Sequence, residues 1–400
     1  MFSLLAAYHS SVLLSTVGTL LVLYAAWKTI LPLAHFRGRR LLLSRWRRLT
    51  DWQYWPCWVV HIPTACYVFW LGIQFRCLTF FTLVNPAIPN SGLIVAPKSK
   101  ILSALEAAQA PLACWTLIPY KNNLEQQWEQ LEVFRQQYSL DYPLVFKPDE
   151  GQRGLGVAII RSKEAGQAYL QQATVDTIVQ EYISGREYGV FYYRYPDSET
   201  GDIFSITDKR MTSVIGDGHS SLEHLILANG PTLALAPLLL KRAGKKLRSI
   251  PAKGESVPIT ELGTHALGSL FLDSNALKTP ELVKAIDRFS RRYSGFYMGR
   301  YDLRVPSVED LKNGEGIKIL ELNGVTSEPT HIYDPRYSYA YGCRTLFQQC
   351  RIVFDIARQN GNRGCQATSL RRLLSQVWLI LRRQRRIKKS ADLKKHKASA

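Results

Sequence analysis

The chain has 400 residues and carries 51 lysines and arginines against 32 aspartates and glutamates, a formal net charge of +19. That length allows one large domain or two modest ones, each with a real core. The charge excludes a nucleic-acid footprint, which would run as a basic stripe across the folded body: residues 28–48 hold seven cations (Lys28, Arg37, Arg39, Arg40, Arg45, Arg47, Arg48) and no anion, residues 363–400 carry +11, and the rest is close to neutral.

Residues 1–27 contain no Asp, Glu, Lys or Arg, and residues 11–27 (SVLLSTVGTLLVLYAAW) approach the roughly 20 apolar residues of a spanning helix. They lack the basic start and small-residue cleavage site of a signal peptide, so a retained membrane helix is expected. The stretch 52–75 is long enough to span, but Pro56 and Pro63 interrupt it and Trp and Tyr crowd it, which suits an interfacial or re-entrant segment. Two spans with a short basic loop between them are the alternative. Cations beside such stretches favour an anionic membrane surface as partner, and no nucleic acid. Seven scattered cysteines without a CxxC pattern imply reduced thiols and no zinc site.

From about residue 85 to 361, strands and helices alternate. Helical patterns cover 99–109, 123–138, 164–173, 221–227 and 280–293; strands are expected at 112–120, 143–148, 157–161, 177–183, 187–195, 202–210, 298–305 and 316–324. The class is α+β. At the end, Leu370, Leu373, Leu374, Val377, Trp378 and Leu381 share one helical face with arginines off it, the pattern of a basic amphipathic tail on a membrane surface or of a helix packed on the body. Four segments follow: 1–85 as membrane anchor and interfacial region, 86–140 as a lead-in, 141–360 as the catalytic domain, and 361–400 as the tail.

Four pieces carry chemistry. Lys147 leaves a short strand just before the glycine-rich run 151–157 (GQRGLGV), where backbone N–H groups can approach phosphate oxygens. The run lacks the GK[ST] and following helix of a Walker loop. Residues 180–187 (QEYISGRE) end a strand whose edge can meet a flat heterocycle, with Glu187 in reach of ribose hydroxyls. Strand alternation puts Arg300 and Asp302 on one face, and Glu321 and Asn323 on one face, giving hard oxygen ligands suited to magnesium. The run 214–226 (VIGDGHSSLEHLI) reads as a glycine turn with a serine N-cap, either a structural loop or one near phosphates.

In this order the pieces resemble the ATP-grasp superfamily, in particular D-alanine–D-alanine ligase, glutathione synthetase and cyanophycin synthetase, over residues 97–330. The resemblance implies an ATP-grasp fold, with two α+β subdomains sandwiching ATP, and an ADP-forming ligase that activates a carboxylate as acyl phosphate and joins it to an amine. Its cofactors would be ATP and Mg2+ or Mn2+. Lys98 stands where the family has a lysine opening a helix before an LxxxGxP turn, with Gln109 in place of the glycine. Lys147 matches the second phosphate-binding lysine, and Gln152, Arg153, Gly154 and Gly156 the mobile loop over the triphosphate. Gln180 takes the place of an adenine-reading glutamate, Glu181 and Ile183 would supply hinge backbone contacts, and Glu187 the ribose contact. Asp302, Glu321 and Asn323 match the magnesium ligands, Arg300 the arginine that steadies the tetrahedral intermediate, and Lys209 or Arg210 a phosphate partner.

Two departures fall on substrate recognition. The PGMT turn that follows the asparagine in D-alanine ligases is replaced by residues 324–331 (GVTSEPTH), and the usual N-terminal α/β domain by the membrane-associated region. Residues 55–92 followed by Lys98 are similar to bacterial membrane-associated ATP-grasp proteins of the carboxylate–amine ligase type. The need for ATP and the positive-inside tendency put the catalytic domain on the cytoplasmic face of the inner membrane, with small-molecule, or lipid-linked, carboxylate and amine substrates. The same site would also serve a kinase acting on a hydroxyl, or a non-catalytic nucleotide-binding membrane protein. His331, Tyr333, Asp334 and Arg336 are read either as shaping an acceptor site or as a structural turn.

Overall fold

The computed structural model describes residues 15–24, 27–28, 32–93, 97–151, 154–260, 263, 268–379 and 382. In chain order the helices used below are α1 (Phe36–Thr50), α2 (Ile62–Gln74), α3 (Lys98–Ala107), α4 (Leu124–Gln137), α5 (Lys163–Gln172), α6 (Leu222–Ala228), α7 (Ala236–Ala243), α8 (Pro280–Arg292) and α9 (Tyr339–Asn362). The strands are β1 (Trp115–Ile118), β2 (Leu144–Pro148), β3 (Ala158–Ile160), β4 (Thr177–Glu181), β5 (Arg186–Tyr193), β6 (Asp202–Arg210), β7 (Ser213–Ile215), β8 (Ser256–Pro258), β9 (Leu270–Asp273), β10 (Met298–Val305) and β11 (Lys318–Asn323).

The chain forms two compact units, residues 1–56 with 211–261, and residues 57–210 with 262–400. These cut the sequence elsewhere than the four expected segments, because residues 57–92 belong to the core of the second unit through Leu71, Phe80, Leu83 and Val84.

In the first unit, β7 and β8 pair antiparallel, and α6 and α7 gather Val214, Leu222, Ile226, Leu233 and Leu239 into a small core onto which α1 lays Phe36 and Leu41. The basic run treated as a loop in the sequence is therefore the helix α1, rich in Arg and Leu, which are good helix formers. Not all its charge is free for lipid. Arg40 donates from Nε to Leu227 O at 2.6 Å and from Nη2 to Ala228 O at 3.0 Å, and Arg47 donates to Gly230 O at 2.6 Å. Both satisfy carbonyls at and just after the C-terminal end of α6, where a cation also meets the negative end of the helix dipole.

The second unit holds two antiparallel sheets. The smaller has the order β1-β4-β2-β3, the larger β11-β10-β5-β6-β9. On the smaller, α4 and α5 cover a core of Ile118, Leu131, Phe134, Leu144, Phe146, Leu170 and Val179. α4 starts at a capping box between Asn123 and Gln126, and α5 at the Ser162 cap, so two otherwise orphaned ends are satisfied locally. One face of the larger sheet buries Tyr188, Val190, Tyr192, Tyr301, Leu303 and Leu322 against α3 and α8, whose Leu282, Ile286 and Phe289 recur at helix spacing. Pro280 sits in the first turn of α8 behind the Thr279 cap, as its missing N–H allows. Toward its other face, Phe191 and Met298 pack with α2 and α9 through Leu71, Phe80, Val353 and Phe354.

The span expected over 11–27 lies partly outside the described residues; within them, 15–24 and 27–28 are helical. Among the described residues no helix is long and apolar enough to cross a membrane. The second apolar stretch breaks into a 3-10 turn at Trp52–Tyr54, a short helix Cys57–Val60 and the 13-residue α2. At 1.5 Å per residue α2 covers about 20 Å, short of the ~30 Å hydrocarbon core. Gln109, in the place of the family's glycine, adopts φ 56°, and its side chain is held by Arg292 at 2.7 Å. A non-glycine residue there costs about 1–2 kcal/mol.

Leu131→Ala opens a cavity in the core of the smaller sheet, where this residue is fully buried. A loss of about 2–5 kcal/mol is expected in urea denaturation.

Candidate functional site

The site lies on the face of the larger sheet opposite the α3–α8 core, and strand register dictates its members. In β10, Tyr301, Leu303 and Val305 enter the core, so Arg300, Asp302 and Arg304 point the other way. Pairing sets Asp302 opposite Glu321 and Arg300 opposite Asn323 on β11, Gly189 opposite Asp302 on β5, and Glu187 opposite Lys209 on β6. Residues distant in sequence become cross-strand neighbours, within about 5 Å at Cβ.

Charge is concentrated here. Lys209 Nζ lies 2.8 Å from Asp302 Oδ1 and 3.4 Å from Glu187 Oε1, and Arg300 Nε lies 3.2 Å from Asp302 Oδ1. Burial pushes the Asp302 carboxyl up, but Lys209 and Arg300 outweigh it and hold the group below its usual range. Asn323 Nδ2 reaches Asp302 Oδ2 at 3.4 Å. At Gly189 an added Cβ would lie 3.2 Å from Arg300 Cδ and 3.4 Å from Lys209 Cε, so the bare glycine gives these side chains room to converge.

A β-bulge interrupts the β10–β11 ladder after Asp302, leaving Leu320 without a partner residue in the register. The carbonyl of Leu320 accepts from Lys147 Nζ at 3.0 Å and from Gln180 Nε2 at 3.3 Å, and Lys147 also donates to Gln180 Oε1 at 2.8 Å. This is where the smaller sheet meets the larger. Burial draws the Lys147 pKa down to about 8, against the opposing pull of Glu321. A buried ammonium short of negative charge is a ready phosphate ligand. Lys98, in the first turn of α3, lies 3.3 Å from Glu321 Oε1 and donates to Gly151 O.

Other expected residues are placed as follows. Gln152 and Arg153 lie outside the described residues. Gly154 and Gly156 form a turn with φ 71° and 76°, and a Cβ on Gly156 would press on Pro148 Cγ at 2.7 Å. The Glu181 carboxylate accepts from Cys114 N at 3.0 Å, which ties β4 to the chain entering β1. The carbonyl of Ile183 accepts from Arg304. Glu187 is buried, with Arg304 forked onto Oε2 at 3.0 and 3.2 Å. Losing one partner of such a buried pair costs about 3–5 kcal/mol. The 214–226 segment belongs to the first unit, where Asp217 Oδ1 accepts from the amides of His219 and Ser220 and Ser221 caps α6. Arg210 pairs with Asp208 at 2.9 Å. Asp334 is buried and held by Arg336 at 2.7 Å and by the amide of Asp273 at 2.8 Å, a structural knot.

The sequence reading missed Arg304, Gly189, the Leu320 carbonyl and the contact of Glu328 with Arg300. Arg304 was legible in principle, being two residues past Asp302 on the same face. The bulge has no sequence signal.

The donor set fits a magnesium nucleotide. Two facing carboxylates and an amide are hard oxygen donors, and Mg2+ characteristically takes its remaining oxygens from water and phosphates. Among the described residues no cluster of three or more His, Cys, Asp or Glu side chains could hold a metal by protein ligands alone. Lys98, Lys147 and Lys209 ring the position where phosphates would balance them.

Residues 98–189 match the family described as the RimK-like ATP-grasp domain. The cyanophycin synthetase of Trichormus variabilis is 26% identical over 249 residues, 57% of this chain and 26% of that protein. The glutathione biosynthesis bifunctional protein GshAB of Streptococcus agalactiae is 22% identical over 231 residues, 51% of this chain and 29% of that protein. The chain thus spans little more than a quarter of the length of these relatives. The VanG D-Ala:D-Ser ligase structure from Enterococcus faecalis aligns at 14% identity with a TM-score of 0.39, covering 66% of this chain and 64% of the ligase. The α+β segment 98–189 matches an ATP-grasp domain, and the resemblance to ATP-grasp carboxylate–amine ligases read from the motifs holds. ATP-grasp ligases use ATP with Mg2+, a set that the donors of this site fit.

Lys147 must be charged to hold a phosphate, and a bound phosphate raises its pKa. ATP affinity is therefore expected to be level below pH 8 and to fall as pH rises through about 8. Calorimetric titration across pH 7–10 checks this. Lys147→Met should bind at least tenfold more weakly, about 1.4 kcal/mol, and lose that pH dependence.

Proposed function

We propose that the protein is an ADP-forming ligase that joins a carboxylate to an amine at a membrane surface. The observation that carries the reading is the β10–β11 face, with Asp302 opposite Glu321, Arg300 opposite Asn323, and Lys98 and Lys209 each paired to one of the carboxylates. ATP would supply the phosphoryl group that activates the carboxylate, and Asp302, Glu321 and Asn323 would hold the Mg2+ that screens its charge. Lys98, Lys147 and Lys209 bind and orient the phosphates. Arg300, fixed on one side by Asp302, offers its remaining N–H groups to the oxyanion that develops when the amine attacks. No nucleophilic side chain is required.

Membrane placement is supported by three exposed apolar faces, each taken alone. Helix α1 leaves Trp46 and Leu49 exposed at 64% and 71% beside Arg45 and Arg48. Helix α2 exposes Ile62, Phe69, Trp70 and Ile73, and residues 370–379 expose Leu370, Leu374 and Trp378 near Arg371 and Arg372. Apolar rings and leucines beside arginines are the composition of interfacial helices on anionic lipid. The catalytic unit then faces the cytoplasm, where ATP is available, and one substrate is lipid-linked.

Glu321→Gln removes a metal oxygen while keeping the side chain's size. ADP release in the presence of magnesium, ATP and pooled carboxylates and amines should fall at least a hundredfold, about 2.7 kcal/mol in the barrier. Unchanged release would remove the metal assignment. In flotation assays the full chain should rise with vesicles rich in an anionic lipid, and less with neutral ones; recovery at the bottom in both cases rejects membrane placement.

A further inference from the structure

Beyond Asn323 the chain enters the segment that replaces the family's turn, and the structure holds it tightly. Val325 N donates to Ser91 O at 2.8 Å, Ser327 Oγ reaches back to the carbonyls of Asn323 and Gly324, and Gln349 Nε2 donates to Ser327 O at 2.7 Å. These contacts deliver Glu328 to the edge of the site. Arg300 Nη1 donates to the Glu328 carbonyl at 2.9 Å while its Nε lies on Asp302. One guanidinium therefore touches both the metal-binding carboxylate and this segment.

The Glu328 side chain has its own partners. His61, at the entrance to α2, places Nε2 3.0 Å from Oε1, and Tyr333 donates its hydroxyl to Oε2 at 2.6 Å. The two partners take one contact on each oxygen of a carboxylate that has about four acceptor positions. The His61 and Glu328 side chains are 24% and 30% exposed, although the His61 nitrogen facing Glu328 is itself buried. Burial pushes the Glu328 carboxyl up, but His61, Tyr333 and Arg300 together hold it below its usual range, so it stands ionised. Lys209 shares Asp302 with Arg300, whereas the Glu328 carboxylate is a negative group whose charge Arg300 also feels, in the residue whose main-chain carbonyl Arg300 holds.

We propose that Glu328 receives the ammonium of a primary-amine acceptor, and that the Glu328–His61 pair takes the proton the amine releases on attacking the activated carboxyl carbon beside Arg300. This rests on the ligase reading. The ammonium gives one proton to the pair, and its freed lone pair forms the C–N bond. The C–O bond to the phosphoryl group breaks with its electrons on oxygen. The second amine proton leaves with the phosphate as hydrogen phosphate, and the pair returns its proton to water. Tyr333 is a positioning residue that fixes the carboxylate.

Hydroxylamine tests this, because at neutral pH it is largely uncharged and needs neither an ammonium site nor a base. The full chain, with magnesium, ATP, a pool of the twenty amino acids and a total bacterial membrane lipid extract, is assayed with and without hydroxylamine; hydroxamate is read by its ferric complex and amide by mass. In Glu328→Gln the ratio of amide to hydroxamate should fall at least tenfold, and Glu328→Asp should recover part of it. An unchanged ratio, including one in which both products fall together, overturns the proposal and leaves the ligase reading standing. Absence of both products with the native protein overturns the ligase reading, and this inference with it. A melting curve and ATP titration accompany each variant; if Glu328→Gln does not fold, His61→Gln carries the same expectation.

Discussion

The antiparallel pairing of β10 with β11 is the constraint on which the rest of the site depends. Its register sets Asp302 against Glu321 and Arg300 against Asn323, while the alternate residues Tyr301, Leu303 and Leu322 are buried in the core beneath. Because side chains alternate with a period of two, a slip of one residue would bury the carboxylates and expose the core. The hydrophobic core thus protects the chemistry: the register that buries Tyr301 is the one that presents Asp302. The bulge at Leu320 adds a second consequence, since a carbonyl released from the ladder becomes the acceptor for Lys147 and Gln180 of the other sheet.

Electrostatics within this unit follow one logic. The site's other inward cations each meet a carboxylate: Arg304 meets Glu187, and Lys209 and Arg300 meet Asp302. Lys147 is the exception, with neutral partners and a depressed pKa. It is where negative charge brought by a ligand gains most, because desolvation has already been imposed by the fold. The first unit uses cations differently. Arg40 and Arg47 stop the end of α6, so a basic cluster that looks uniform in the sequence divides into structural and exposed portions.

Much of this was legible residue by residue. Strand alternation grouped Arg300 with Asp302 and Glu321 with Asn323, and the family motifs joined them to Lys98 and Lys147. The helical runs that became α4, α5 and α8 were equally plain. Other features were hidden for physical reasons. The 24-residue α9 is polar enough along its length that its buried face emerges only against α2 and the sheet. The basic stretch 28–48 gave a charge count but not the helix on which most of it lies, nor which arginines turn inward.

The sequence by itself determined the class of chemistry, because hard oxygen donors, paired lysines and glycine turns are local signals carried by residue type and spacing. It marked eight of the strands as well, through alternation, but not β7, β8 and β9, which are only three or four residues long. Only the tertiary structure decided which charges neutralise each other, since Glu187 with Arg304 and His61 with Glu328 are contacts between segments far apart along the chain. It alone decided where the ladder breaks at Leu320. It also packed the part of the apolar stretch that forms α2 against α9, burying Leu71 with Phe80 and Phe354.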